Sequence, residues 1–320
     1  MKRLLPALAL LPALAAAATP VNPEVYRRAD TSVLTAAHTG YTFRTLDMAD
    51  AAGQPYRIFV GIPSAPPPAA GYPALYALDG NAVLEYLDAD TLRSLPNPPL
   101  LVLAGYPTAL RFDTARRAYD YTPPDENGQS MADPLSEGRR NGGAPALLDF
   151  IEHSLRPQIA AIAKTDPQRQ TLWGHSYGGL FVFYTLFEKP HTFTHYAAAD
   201  PALWWHSGQM LHRAERALRQ DGVLTDRSVR IDKSGAQEQK QPADAQQAAM
   251  LARRAAALRA VPPDAAAQLA AKLRPHTRDT AYHAYPEATH GTACSACPSN
   301  KLWPTRRVEM PHGQMNKEAV

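Results

Sequence analysis

A chain of 320 residues that is 45% hydrophobic and 20% charged has the composition of one large globular domain, which excludes a disordered or collagen-like protein. Its 33 basic and 30 acidic residues give a formal charge of +3, and setting aside Lys2 and Arg3 leaves 31 against 30, so no long-range field exists to gather nucleic acid. The thirty prolines lie scattered between apolar runs and read as loop punctuation.

Residues 1–18 run MKRLLPALALLPALAAAA, a short basic start, an apolar stretch and small residues offering an Ala-x-Ala cleavage site near Ala18. That is the pattern of a secretory signal, and the stretch is shorter than the roughly 20 residues a spanning helix needs. The expectation is an exported protein, periplasmic or secreted, whose mature chain does not insert into a membrane. The domain proper is expected over 19–292.

Short β-branched and aromatic runs then alternate with helical patterns, which predicts a mostly parallel sheet flanked by helices, a three-layer α/β sandwich. Strands are expected at Tyr41–Leu46, Tyr56–Gly61, Ala74–Leu78, Leu100–Ala104, Gln170–Trp173, Thr194–Ala198, Ser228–Asp232 and Thr280–Tyr285. Helices are expected at Pro145–Ala163, Tyr177–Glu188, Ser207–Leu218 and Asp244–Arg259, with an Ala-rich helix ending at Leu273. Residues 105–145 are too long and too rich in Gly and Pro for a simple connection, and read as a substrate-covering loop. Beyond Thr292 the apolar period disappears, so 293–320 reads as a divergent, disordered tail. It carries both cysteines, Cys294 and Cys297, whose context fits neither a redox helix nor a complete zinc site.

The strongest chemical signal is Gly174-His175-Ser176-Tyr177-Gly178-Gly179. Here G-x-S-x-G follows a predicted strand and opens a predicted helix, the context of a nucleophile elbow. A serine on so sharp a turn needs neighbours without side chains at Gly174 and Gly178. Ser176 is therefore the expected nucleophile. A serine hydroxyl needs a general base, and His290 follows the last predicted strand, where an α/β-hydrolase carries its histidine. His175 adjoins the serine but is expected to point off the elbow. Three readings of the acid stay open: Glu238 after the seventh strand, Asp200 after the sixth, or a Ser/His dyad with no acid. The backbone N–H groups of Tyr177 and of Asn81, in the turn Asp79-Gly80-Asn81, are the expected oxyanion donors. No metal or organic cofactor is implied.

The segments Asp79-Gly80-Asn81, Arg117-Ala118-Tyr119-Asp120-Tyr121-Thr122-Pro123, the elbow, Asp200-Pro201-Ala202-Leu203-Trp204-Trp205 and Thr289-His290-Gly291 resemble the esterase family of α/β-hydrolases, over about residues 30–292. Within it they look like the periplasmic trilactone esterases that open catecholate siderophores such as enterobactin and salmochelin. The resemblance implies the α/β-hydrolase fold, hydrolysis of siderophore esters by Ser176 and His290 through an acyl-enzyme, and an arginine, Arg116 or Arg117, that meets the substrate. Asp200 stands where serine is common in the family. A ferric tris-catecholate is an anion with aromatic faces, which suits Arg116, Arg117, Tyr121 and Trp204 as substrate contacts. Two alternatives accompany this reading: a general carboxylic-ester or thioester hydrolase of the same family, and a siderophore-binding protein without turnover.

Overall fold

The computed structural model describes residues 27–236, 242 and 245–291. The expected signal, the tail with Cys294 and Cys297, and Glu238 lie outside the described residues.

Eight strands form one sheet: β1 (Tyr41–Ala49), β2 (Pro55–Pro63), β3 (Tyr72–Leu78), β4 (Leu100–Gly105), β7 (Thr165–His175), β8 (His195–Ala199), β9 (Ser228–Ala236) and β10 (Asp279–Thr289). They lie in the order β1-β2-β4-β3-β7-β8-β9-β10, and β5 (Met131–Ala132) pairs with β6 (Arg140–Asn141) in a separate ribbon. β1 and β2 run antiparallel and every pair from β4 through β10 is parallel. This is the doubly wound sheet that the alternating pattern predicts, with each of the eight expected strands present.

The central strands are apolar on both faces because helices cover both. In β4, Leu100, Val102 and Ala104 enter the larger core while Leu101 and Leu103 face the smaller one. Alternation along the pleat sends successive side chains to opposite layers, so a continuous apolar run marks a strand buried on two sides. The helix Tyr177–Glu188 lies in the larger core, with every residue from Tyr177 to Leu186 buried. Long-range burial of this kind fixes where β7 ends, and with it the turn that carries Ser176.

Three departures from the predicted elements have local causes. The helix expected at Pro145–Ala163 is continuous but passes through a wide turn at Ile151–Leu155. Pro157 has no N–H to donate to the turn before it, which favours such a π-type bulge. The helix expected from Ser207 begins instead at Gln209, because His206 and Ser207 hold positive φ and Gly208 caps the start at φ 87. Residues 105–145 contain the helix Thr114–Asp120 and the β5–β6 ribbon, and give Ala118, Tyr121 and Leu135 to the core, so the segment is built into the domain. Among the described residues no helix is long and apolar enough to cross a membrane.

Candidate active site

The C-terminal ends of β3, β7 and β8 each finish in a residue forced into the left-handed region: Asp79 at φ 55, Ser176 at φ 60 and Asp200 at φ 43. Non-glycine residues at such angles are held by surrounding structure and mark places where a fold positions function. Ser176 sits between β7 and its helix, donating its N–H to Ala199 O at 3.0 Å and accepting at its own carbonyl from Ala202 N–H at 3.1 Å. The elbow is thereby bolted to the end of β8. A Cβ on Gly174 would lie 2.4 Å from the Gly178 carbonyl carbon and oxygen, so no side chain fits there. A Cβ on Gly178 would meet Leu78 at an ordinary 3.6 Å. The expectation that both positions must be bare is thus corrected: Gly174 alone is obligatory on space, since the close approach is of its own Cβ position to the Gly178 backbone.

His290 stands at the end of β10 with Nε2 3.1 Å from Ser176 Oγ and Nδ1 2.8 Å from Asp200 Oδ2. A carboxylate accepts only, so Nδ1 carries the proton and donates to Asp200, which leaves the Nε2 lone pair facing the serine hydroxyl. Asp200 is 3% exposed. Its carboxylate also accepts from Lys233 Nζ at 2.5 Å and from Ser234 Oγ, and its N–H donates to Asp232 O at 2.7 Å. Burial would raise this carboxyl, but the hydrogen bonds and charge of His290, with Lys233 and Ser234, hold it well below the usual carboxylate range. It is the acid of the three sequence readings that the fold brings to His290. Asp232, at the middle of β9, is committed to Arg230 Nε at 2.9 and 3.0 Å.

His175 departs from expectation. It does not point away from the site: its ring lies 4.7 Å from that of His290, and Nε2 donates to the His290 carbonyl at 2.8 Å. Burial first, then the neighbouring His290, pushes its pKa far below the ordinary imidazole value, so it is neutral. His175 thus ties down the backbone that carries the His290 imidazole. The sequence signal was its place beside the serine on a strand whose side chains alternate faces. His175, Asp200 and His290 offer ligand atoms within 4.8 Å of one another. Here the unprotonated Nε2 of His290 faces Ser176 Oγ, while Asp200 accepts from Nδ1 of the same ring and the His175 Nε2–H is bonded to the His290 carbonyl.

Tyr177 opens the elbow helix and Asn81 lies in the first turn of the short helix Gly80–Val83, positions whose N–H groups have no intrahelical acceptor. The Asn81 side chain is spent elsewhere: Nδ2 donates to Tyr106 O at 3.1 Å and to Thr108 O at 3.0 Å, and Oδ1 accepts from Tyr106 N–H at 2.9 Å. It staples the turn after β3 to the chain after β4, leaving the backbone to do chemistry.

The expected substrate contacts are used differently. Arg117 forms a two-pronged pair with Asp79, Nε to Oδ1 at 2.9 Å and Nη2 to Oδ2 at 2.8 Å, and its side chain is 16% exposed. The guanidinium lies over the rings of Phe112, Tyr121 and Tyr177. Arg116 pairs with Asp120 at 3.2 Å over the rings of Tyr56 and Tyr106. Tyr121 is 2% exposed and its hydroxyl accepts the Asp79 N–H at 3.0 Å. Arg117 and Tyr121 thus brace the strained turn at Asp79, while Arg116 is held by Asp120 and Gln54. Trp204 is also buried, its ring 5.9 Å from that of Tyr177.

Residues 49–290 match the family described as "Putative esterase". Among curated relatives, the apo-salmochelin esterase of Escherichia coli O6:H1 is 41% identical over 150 residues, 46% of this chain and 47% of the relative. The ferri-bacillibactin esterase BesA of Bacillus subtilis is 37% identical over 171 residues, 50% of this chain and 58% of the relative. The chain spans about half the length of the curated relatives it matches. Among solved structures, the enterobactin hydrolase IroE in complex with DFP superposes with TM-score 0.62 at 28% identity, covering 83% of this chain and 95% of that one. The siderophore hydrolase EstB of Aspergillus nidulans gives TM-score 0.62 at 26% identity, covering 79% and 91%. With the family match running from β1 to His290 and the fold shared with these hydrolases, the chain belongs to the putative esterase family of α/β-hydrolases.

Proposed function

We propose that the protein is an exported serine esterase that opens the ester bonds of catecholate siderophores, of the ferric enterobactin-type trilactone class. The observation that carries the chemistry is the chain Ser176 Oγ, His290, Asp200, with successive contacts of 3.1 and 2.8 Å. His290 Nε2 takes the Ser176 proton as the hydroxyl attacks the ester carbonyl, and Asp200 stabilises the imidazolium through Nδ1. The Tyr177 and Asn81 N–H groups receive the negative oxygen that develops on attack; the ester C–O bond then breaks as the His290 imidazolium returns its proton to the leaving alcohol, and a water, activated by the freed imidazole, releases the acyl group from Ser176. The lysine and serine on Asp200 keep it ionised throughout the cycle.

The substrate class rests on the named activities of the relatives, which are siderophore esterases, and on the aromatic and arginine-rich surroundings of the elbow. The leader-like residues 1–18 support action outside the cytoplasm, where an intact siderophore arrives. The hydrogen-bonded Ser176 and His290 favour turnover over a binding protein.

Mass spectrometry of products from iron-free and iron-loaded trilactones, with p-nitrophenyl esters in parallel, tests the reading. Linear fragments are expected with the wild type and none with Ser176→Ala. Turnover of simple esters with both trilactones untouched would overturn the siderophore assignment and leave a general ester hydrolase. Undiminished activity in Ser176→Ala would remove Ser176 from the mechanism.

A further inference from the structure

The end of β9 carries a charge that the pattern of the strand does not call for. Val229 and Ile231 send their side chains into the larger core. Alternation along the pleat puts Lys233 next on that face, so an ammonium stands in an apolar register. Its side chain is 36% exposed, and its Nζ donates to Asp200 Oδ1 at 2.5 Å and to the Ser234 carbonyl at 3.2 Å.

The residues of β9 grip Asp200 through its backbone and through both carboxylate oxygens. The Asp200 N–H donates to Asp232 O, Lys233 holds Oδ1, and Ser234 Oγ donates to Oδ2. The two oxygens are unlike: Oδ2 also accepts from His290 Nδ1, whereas Lys233 is the one donor to Oδ1 among the described residues. Any nearby cation would help to keep the carboxylate ionised. Occupying Oδ1 does more, because a carboxylate fixed at one oxygen presents the other in one orientation. Asp200 needs such a hold, since it leaves β8 in the left-handed region at φ 43 and is buried, so water is a poor substitute for the lysine. The charge has a second consequence. Lys233 and the imidazolium that forms on His290 are two cations on one carboxylate, and without that carboxylate they would be left as uncompensated like charges.

Resting on the serine-esterase reading above, we infer that Lys233 is a positioning residue for the reaction: it holds Asp200 Oδ1 so that Oδ2 stays on His290, and lysine and carboxylate act as one unit. Lys233 works through Asp200 alone, so its contribution appears in kcat and leaves KM in place. It also depends on the carboxylate being there. With Asp200 removed, the lysine turns from a support into a hindrance, because its charge then opposes the imidazolium.

The test is a cycle of four proteins, the wild type, Lys233→Met, Asp200→Ser and the double variant, assayed on p-nitrophenyl butyrate, with thermal melts by circular dichroism to verify folding. Methionine keeps most of the aliphatic stem and removes the charge. Lys233→Met is expected to lose about tenfold in kcat with KM unchanged, the size of effect for removal of a charge-assisted hydrogen bond. Lys233→Arg still donates to Oδ1 and should recover most of the loss. In the Asp200→Ser background the same Lys233→Met change should cost nothing and raise kcat, since it takes a like charge away from the forming imidazolium. Equal losses in the two backgrounds, or wild-type kcat in Lys233→Met, overturn the positioning role while the esterase reading stands. Should Lys233→Met fail to fold, Lys233→Gln runs the same cycle with the same expected signs. Undiminished activity in Ser176→Ala removes the serine-esterase reading, and the positioning role with it.

Discussion

Asp200→Asn is the substitution whose outcome follows most directly from the geometry. Asp200 presents Oδ1 to Lys233 Nζ, and Oδ2 to both His290 Nδ1 and Ser234. An asparagine side chain has one oxygen and one NH2. Turning the NH2 toward Lys233 would set two donors face to face beside a positive charge, so the amide oxygen is expected to stay on the lysine. The NH2 then faces His290. To accept from it, the imidazole must give up its Nδ1 proton and carry it on Nε2, where it can no longer receive the Ser176 proton. The variant is therefore expected to fold, to keep its sheet, and to lose roughly 10⁴-fold in kcat, the size of effect that accompanies an imidazole held in the unproductive tautomer. That corresponds to about 5 kcal/mol of transition-state stabilisation. Asp200→Ser imposes no such tautomer and should be less damaging than Asp200→Asn, although it removes the counter-charge as well. Stopped-flow or steady-state hydrolysis of a p-nitrophenyl ester reads both, with circular dichroism to verify folding. If Asp200→Asn retains more than a tenth of wild-type kcat, the acid role of Asp200 is refuted and the enzyme works as a dyad.

The other expectations concern the supports of the site. Gly174→Ala should abolish a stable elbow, because its Cβ would approach Gly178 backbone at 2.4 Å, whereas Gly178→Ala meets nothing closer than 3.6 Å and should leave Tm within a few degrees; thermal melts decide. Arg117→Ala leaves the buried Asp79 carboxylate without its partner and should cost about 3–5 kcal/mol of stability by urea denaturation, a loss that Arg117→Lys repairs incompletely because the pair is two-pronged. His175, buried, and His195, half-buried, are both neutral: burial and then His290 lower the first, burial and then Arg278 lower the second to about 4. An unfolded imidazole binds a proton near pH 6.5, so below that pH the unfolded chain holds more protons, and stability should fall on acidification from 6.5 toward 4. The slope is up to about 1.4 kcal/mol per pH unit for each group, and His175→Asn should reduce it; a flat profile in the wild type would contradict the burial of both. Asp200 acts in a lower window. Its folded pKa lies below the unfolded value, so its contribution is complete above about pH 4 to 5 and is lost as the pH falls further.

Much of the fold was legible because strands and helices are written in local patterns. The apolar runs at Leu100–Ala104 and Gln170–Trp173 mark strands covered on both faces, and the apolar helix after Ser176 marks one that lies in the core. The helix start at Ser207 was misread, since nothing in the residue types at His206 and Ser207 announces positive φ. Packing imposes that conformation. The ion pairs of Arg116 and Arg117 were not legible for a related reason: charge beside aromatic residues in a sequence suits a ligand and an internal brace equally. Only the position of the Asp79 carboxylate, 38 residues away, decides that Arg117 is a brace.

The sequence by itself determined the sheet, the elbow and the candidate pair Ser176 and His290, because a strand, a sharp turn and a helix are short-range objects. The tertiary structure decided what those residues touch. Asp200 reaches His290 across 90 positions and His175 holds the His290 carbonyl across 115. Such contacts depend on parallel strands ending side by side, with β8 next to β7 and His290, one residue past β10, reaching both. No local pattern carries that information, since it arises from how the whole sheet closes its two cores.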